Sequence, residues 1–285
     1  MSIVLVHGIG KQLDGSVTLH ARLFPALRQG LRFAGRDVVP EDVTVAGYGR
    51  LFRPEAEVLG PEAYFDANDV EEGYEQELLS ALWERAGEVD DRVVPPGEET
   101  LFRSPAWVQK ALYALAMSRF WSGVGERAFI GDLKQVRRYF TDDALRAAAQ
   151  AEVAAAVTPR TRVIVAHSLG SVVAYEALCA HPEWPVTTLV TLGSPLGLRH
   201  LVLDRLRPAP GEKDGTVRAH WPGGVGSWTN ITDAGDVVAV VEDIRPFFGD
   251  RVRQIRVHNG SQAHDMRAYL TDEATGRVIA EGMGG

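Results

Sequence analysis

Short apolar runs that alternate with helix-length segments predict an α/β fold, a mostly parallel sheet flanked by helices, with a helical cap insertion over 52–140. Two observations carry this. Apolar runs of strand length recur in both the first and the last parts of the chain, separated by stretches long enough for a crossover helix. The middle, by contrast, shows no strand signal. With 285 residues, 45% of them hydrophobic, the chain can bury a sizeable core, divided into 1–51 and 141–285 for the sheet and 52–140 for the insertion.

The elements follow in order. Ile3-Val4-Leu5-Val6 reads as a buried strand that runs into a turn at His7-Gly8-Ile9-Gly10. A helix follows over about Val17 to Ala34, then a strand at Val43-Thr44-Val45-Ala46. The middle offers a helical pattern from Val70 to Ala86 and a polar, proline-bearing link from Gly87 to Ser104. Pro105 to Trp121 is rich in aromatic and aliphatic residues with few charges. It is expected to be a lid lining an apolar pocket. A helix buried against the sheet and a helix lying on a membrane surface are the alternatives. Phe129 to Asp132 and a helix over 142–156 return the chain to the sheet. Then come a strand at 163–166, a helix at 169–180, a strand from Val186 to Leu192 and a short helix near Gly197 to Arg207. A polar, mobile loop is expected from Arg207 to Gly226, ahead of strands at 228–232 and 252–257.

Three sites in this order carry chemistry. Ala166-His167-Ser168-Leu169-Gly170 stands between an apolar strand and a helix. A serine on such a sharp turn needs small neighbours, and the helix N-terminus behind it supplies N–H groups and partial positive charge. A serine that merely caps an ordinary helix would produce the same five residues. The first strand runs straight into His7-Gly8-Ile9-Gly10, where glycines let a backbone N–H approach a substrate oxygen. His7 itself reads as a turn residue. Finally, Asp233 and Asp236 follow the strand at 228–232, and His264 follows the strand at 252–257. The order is serine, acid, histidine, each just after a strand.

On these residues the chain resembles the serine hydrolases of the α/β-hydrolase superfamily, in the bacterial lipase- and esterase-like branch. The resemblance covers Met1 to about Tyr48 and about Ala156 to Leu270. It departs from the usual Gly-x-Ser-x-Gly in having Ala166 first. It implies that Ser168 is the nucleophile, His264 the base and Asp236, ahead of Val237-Val238-Ala239, the acid, with Asp233 as the alternative. It implies oxyanion N–H donors at Ile9 and Leu169. The leading antiparallel hairpin usual in that fold has no counterpart ahead of Ile3.

Other residues take plainer roles. His258 is a second possible base, and Ser194 in Gly193-Ser194-Pro195 reads as a cleft-lining turn. His181 reads as a helix cap, His200 and His220 as loop residues, and His20 as a surface or packing residue. No histidine pair has metal-ligand spacing, so neither a metal nor a cofactor is expected. Cys179 is alone, so no disulfide forms within the chain. With Ile3 already in a strand, no secretory leader is expected, and a cytoplasmic location follows. No apolar stretch reaches membrane-spanning length. A net charge of −8 disfavours nucleic acid as a partner.

The expected activity is hydrolysis of an ester with an apolar acyl or aromatic portion, a small-molecule or lipid-like substrate, through an acyl-enzyme. A thioesterase, amidase, peptidase or acyltransferase would use the same residues, because leaving-group preference resides in pocket shape. A non-catalytic interaction domain is the remaining class.

Overall fold

All five residues of β1 (Ser2–Val6) are buried, so this strand has no face for solvent. Such strands belong to parallel sheets covered on both sides. The computed structural model, which describes residues 1–53, 65–97, 104–118, 125–213 and 215–284, has that arrangement. β1 pairs parallel with β2 (Val43–Ala46) on one side and with β3 (Thr161–His167) on the other. β4 (Thr188–Leu192) continues the sheet beside β3. The chain then makes a small antiparallel hairpin, β5 (Gly211–Lys213) and β6 (Thr216–Arg218), and returns with β7 (Ser227–Asp233) and β8 (Val252–Val257). Among the described residues the main sheet has six strands in the order β2-β1-β3-β4-β7-β8, every neighbouring pair parallel.

Helices join the strands. α1 (Ser16–Phe33) links β1 to β2. α2 (Tyr74–Val89), α3 (Pro105–Ala116), α4 (Glu126–Thr141) and α5 (Asp143–Ala156) lie between β2 and β3. α6 (Leu169–Ala180) links β3 to β4, and the short α7 (Arg245–Phe248) precedes β8. α8 (Met266–Thr271) and α9 (Glu273–Gly282) end the fold.

Strand residues alternate between two apolar cores. Ile3, Leu5, Val163, Val165 and Val190 meet Leu19, Leu23, Leu27 and Leu31 of α1, together with α8 and α9. The fourfold spacing of those leucines is the core-facing stripe of a helix. On the opposite face Val4, Val6, Ile164 and Leu189 meet α5 and α6. Helices α2, α3 and α4 belong to this same second core, so the insertion packs as a continuation of the sheet's helical layer. The chain thus leaves β1 toward one face and β3 toward the other. A crevice opens where two adjacent strands part in this way, at their carboxyl ends.

Three expectations are corrected. The helix from Val70 starts only at Tyr74, because Gly73 sits at φ 87° and separates it from a short capped turn at Ala67–Asp69. The helix near Gly197 to Arg207 is reduced to one tight turn at Leu203–Arg205. His200, at φ 63°, breaks the helical path there, and the Asp204 carboxylate ties His200 N and Arg199 into a loop. The polar stretch from Arg207 to Gly226 holds the β5–β6 hairpin, with Gly215 at φ 71° in its turn. The apolar segment from Pro105 forms α3 as far as Ala116, whereas Phe120 and Trp121 lie outside the described residues. Trp107 is buried, its ring 5.8 Å from that of Trp83 on α2. Among the described residues no helix is long and apolar enough to cross a membrane.

Candidate active site

Ser168 occupies the turn between β3 and α6 with φ 53° and ψ −131°. A non-glycine residue held there costs about 1–3 kcal/mol and persists only where its surroundings impose it. They do so here. Ser168 N donates to Leu192 O (3.0 Å), and Ser168 O accepts from Ser171 N (2.9 Å) and Ser171 Oγ (2.6 Å). Ser194 Oγ lies 2.7 Å from Ser171 Oγ and accepts from Leu196 N, so Ser194 braces the turn from β4. Gly170 brings α6 against the end of β1: a Cβ there would stand 2.2 Å from His7 O. Ala166 points its methyl group into the second core, which explains why the turn tolerates it.

The loop after β1 lies alongside. His7 is buried and stacked on Tyr48, with ring centroids 4.3 Å apart. Its Nε2 accepts from Gly49 N (3.3 Å), so its Nδ1–H donates to Gly8 O (2.6 Å). Burial lowers its pKa to about 4, which keeps the ring neutral. His7 therefore shapes the loop. Gly10 N donates to Gln135 Oε1 of α4 (3.2 Å). Among the described residues the N–H groups of Ile9 and Leu169 have no protein acceptor, which leaves both available to a substrate oxygen.

Asp236 and His264 meet across two later loops. His264 Nδ1 lies 2.8 Å from Asp236 Oδ2. Tyr269 Oη of α8 donates to the same oxygen (2.8 Å), while Oδ1 accepts from Val238 N (2.9 Å) and Ala239 N (3.4 Å). This fully buried carboxyl therefore meets donors alone. Burial and the neighbouring Asp236 push the Tyr269 phenol well above its ordinary pKa, so it stays a donor. Gly193, at φ 50°, leaves the room this contact needs, because a Cβ there would stand 2.4 Å from Asp236 Oδ2. Asp233 is separate from His264. Its carboxylate accepts from Gly235 N (2.7 Å) and from Asn259 N, shaping the turn that presents Asp236. His258 is exposed.

No protein-family model matches this chain, and no curated protein is similar to it.

Ser168, His264, Ile9 and Leu169 all line one cavity of about 570 Å³. Its roof is apolar: Leu78 and Leu82 from α2, and Phe129, Leu133 and Val136 from α4. α3 lies behind α2, and its described residues are absent from the wall. Two of the other lining groups are titratable and escape a reading of sequence alone. His167, with its ring 4.4 Å from that of His264, is held neutral by burial, well below the ordinary histidine pKa. Asp132 of α4 reaches the loop after β1, where its Oδ1 would lie 3.3 Å from a Cβ on Gly10. Burial raises its carboxyl to about 7. The only sequence signal for either was proximity, of His167 to Ser168 and of Asp132 to Gly131 in an amphipathic helix. Among the described residues no group of three or more His, Cys, Asp or Glu is arranged to hold a metal ion.

Proposed function

We propose that this chain is a serine hydrolase of the α/β-hydrolase superfamily that cleaves an ester with an apolar acyl or aromatic portion. The observation that carries the reading is the 2.8 Å contact of buried Asp236 with His264, whose side chain lines the same cavity as Ser168 at φ 53°. An ordinary helix cap requires neither the positive φ nor a histidine–aspartate pair opposite. The position of both loops at the divergence of β1 and β3 supports it further.

In this mechanism Ser168 Oγ attacks the ester carbonyl as His264 Nε2 takes its proton. Asp236 accepts from Nδ1–H, which fixes the tautomer with Nε2 unprotonated and stabilises the imidazolium. The N–H groups of Ile9 and Leu169 hold the tetrahedral oxyanion. His264 returns the proton to the departing alcohol, leaving Ser168 acylated. Water then attacks the acyl carbonyl as the same His264 takes its proton, and His264 passes that proton to Ser168 Oγ as the C–Oγ bond breaks, releasing the acid and regenerating the serine.

The test is labelling with a fluorophosphonate, followed by ester turnover. Wild-type protein should be labelled on Ser168, and Ser168→Ala should lose both the label and turnover by several orders of magnitude with its fold intact. A wild-type chain that neither labels nor cleaves esters is a binding domain, and labelling that persists in Ser168→Ala moves the nucleophile elsewhere.

A further inference from the structure

The cavity wall holds three cations of unequal standing. Arg22 is neutralised by Asp14, with both carboxylate oxygens within 2.9 Å of its Nη1. Arg267 is gripped in the same bidentate way by Asp265. Lys11 differs. Among the described residues no carboxylate lies within ion-pairing distance of its ammonium and no acceptor bonds it. Its main chain is nevertheless fixed: Lys11 O accepts from Asp14 N (3.1 Å), and Gly49 packs so close that a Cβ there would stand 2.5 Å from that oxygen. The four-carbon stem thus starts from a rigid point two residues beyond Ile9.

The surroundings make this charge useful. Of the two carboxyls in the wall, Asp265 is held by Arg267, which leaves Asp132 on α4 to oppose this charge. Burial brings that acid to about 7, so a substantial part of it is uncharged at neutral pH. The rest of the roof is Leu78, Leu82, Phe129, Leu133 and Val136, in a chain whose net charge is −8. A lone ammonium beside an apolar slot favours a ligand that has both an apolar portion and an anion.

We propose that the cavity takes an amphiphile whose apolar portion lies under α2 and α4 and whose anionic group is bound by Lys11. The proposal rests on the hydrolase reading for its chemistry, in that the ester cleaved at Ser168 would carry this second, anionic group. The anion can sit on the acyl or on the alcohol side of the scissile bond, and the shared chemistry is a carboxylate within reach of Lys11.

Two measurements test it. In the first, octanoate and 1-octanol are titrated calorimetrically into full-length Ser168→Ala protein, which needs no turnover. Octanoate should bind at least about tenfold tighter than 1-octanol, the scale of one charge-assisted hydrogen bond. Adding Lys11→Met should bring that ratio to near one, whereas Lys11→Arg should keep it. Equal binding of the two probes, or a preference that survives Lys11→Met, overturns the proposal. In the second, the wild type is assayed on two matched pairs of esters: 4-nitrophenyl valerate against the 4-nitrophenyl monoester of glutarate, and phenyl butyrate against 3-carboxyphenyl butyrate. The anionic member of one pair should show at least about tenfold higher kcat/KM, and that pair names the side. Equal values within both pairs count against it. Should no ester be cleaved and no phosphonate bind, the hydrolase reading falls alone, and the octanoate titration still decides the anion site.

Discussion

Asp233 ends β7 and Asp236 lies three positions later in the turn that follows, and their partners divide the work. Asp236 gives one oxygen to His264 and Tyr269 and the other to two backbone N–H groups. Asp233 spends both oxygens on backbone N–H groups of the turn. On the proposed mechanism, replacing Asp236 by Asn puts an amide where a tautomer-fixing carboxylate is required. Asp236→Asn should therefore lower kcat on an aryl ester by on the order of 10³ to 10⁴. Asp233→Asn should lower it far less, and should show itself chiefly as a reduced Tm from the lost turn contacts. Steady-state kinetics and a melting curve on both variants check this; comparable kcat losses would move the acid role to Asp233.

At the scale of elements, the cavity roof comes from α2 and α4, with α3 supporting them from behind. Gln135 of α4 accepts from Gly10 N, which ties this roof helix to the loop after β1. α4 and α5 are in turn tied to α6, because Glu176 accepts from Tyr139 Oη (2.6 Å), Arg146 Nε (2.8 Å) and Gln150 Nε2 (2.9 Å). The helix that follows Ser168 and one of the two roof helices, α4, thus meet at one buried carboxylate. On the proposed hydrolase reading, chain-length selectivity belongs to the roof. Each added methylene of an acyl chain should raise kcat/KM up to about fourfold until the cavity fills, from roughly 0.8 kcal/mol per buried methylene. Phe129→Ala and Leu133→Ala should flatten that trend across a series of 4-nitrophenyl esters. Trp107→Ala should leave its slope unaltered and cost about 3–5 kcal/mol of stability through the void it opens beside Trp83. A slope that responds to Trp107 and not to Phe129 or Leu133 would reverse the assignment.

For the whole molecule, buried titratable groups in and beside the cavity set opposing pH dependences. His7 has a folded pKa of about 4 against 6.5 in the unfolded chain, so between those values the unfolded state binds more protons. Its contribution to stability is lost as pH falls from 6.5 toward 4, and His167 acts in the same direction. Asp132 has the reverse sign. Its folded pKa of about 7 lies above the unfolded 3.8, so the folded state binds the extra proton. Its contribution is complete below about pH 4 and is lost as pH rises through 7. Asp132→Asn keeps the neutral shape at every pH. The Tm of this variant minus that of the wild type should therefore rise between pH 4 and 7 and stay positive at pH 8. A flat difference over that range, or a lower Tm at pH 8, would show that Asp132 is not destabilised as a carboxylate.

What the sequence determined by itself is whatever is written within one strand or one helical turn. The limits of β2, α6 and β8 follow from local apolar runs and breakers, as does the position of Ser168 between a strand and a helix. The succession of strands and crossover helices also requires a parallel sheet with two covered faces. Tertiary structure decided the rest. In local sequence Asp236 is favoured over Asp233 only by the Val237-Val238-Ala239 run that follows it, and the approach of His264 and Tyr269 from elsewhere in the chain is what separates the two carboxylates in space. Pro105 to Ala116 has the composition of a pocket wall, yet its apolar face is spent on Trp83 and its neighbours, and the less conspicuous α4 reaches the cavity. Lys11 and Asp132 look like ordinary solvated charges in the sequence. They become cavity groups because the crevice at the ends of β1 and β3 is closed by helices from a distant segment. Periodicity states which side of a helix is apolar, but which surface covers that side is settled by the packing of the whole chain.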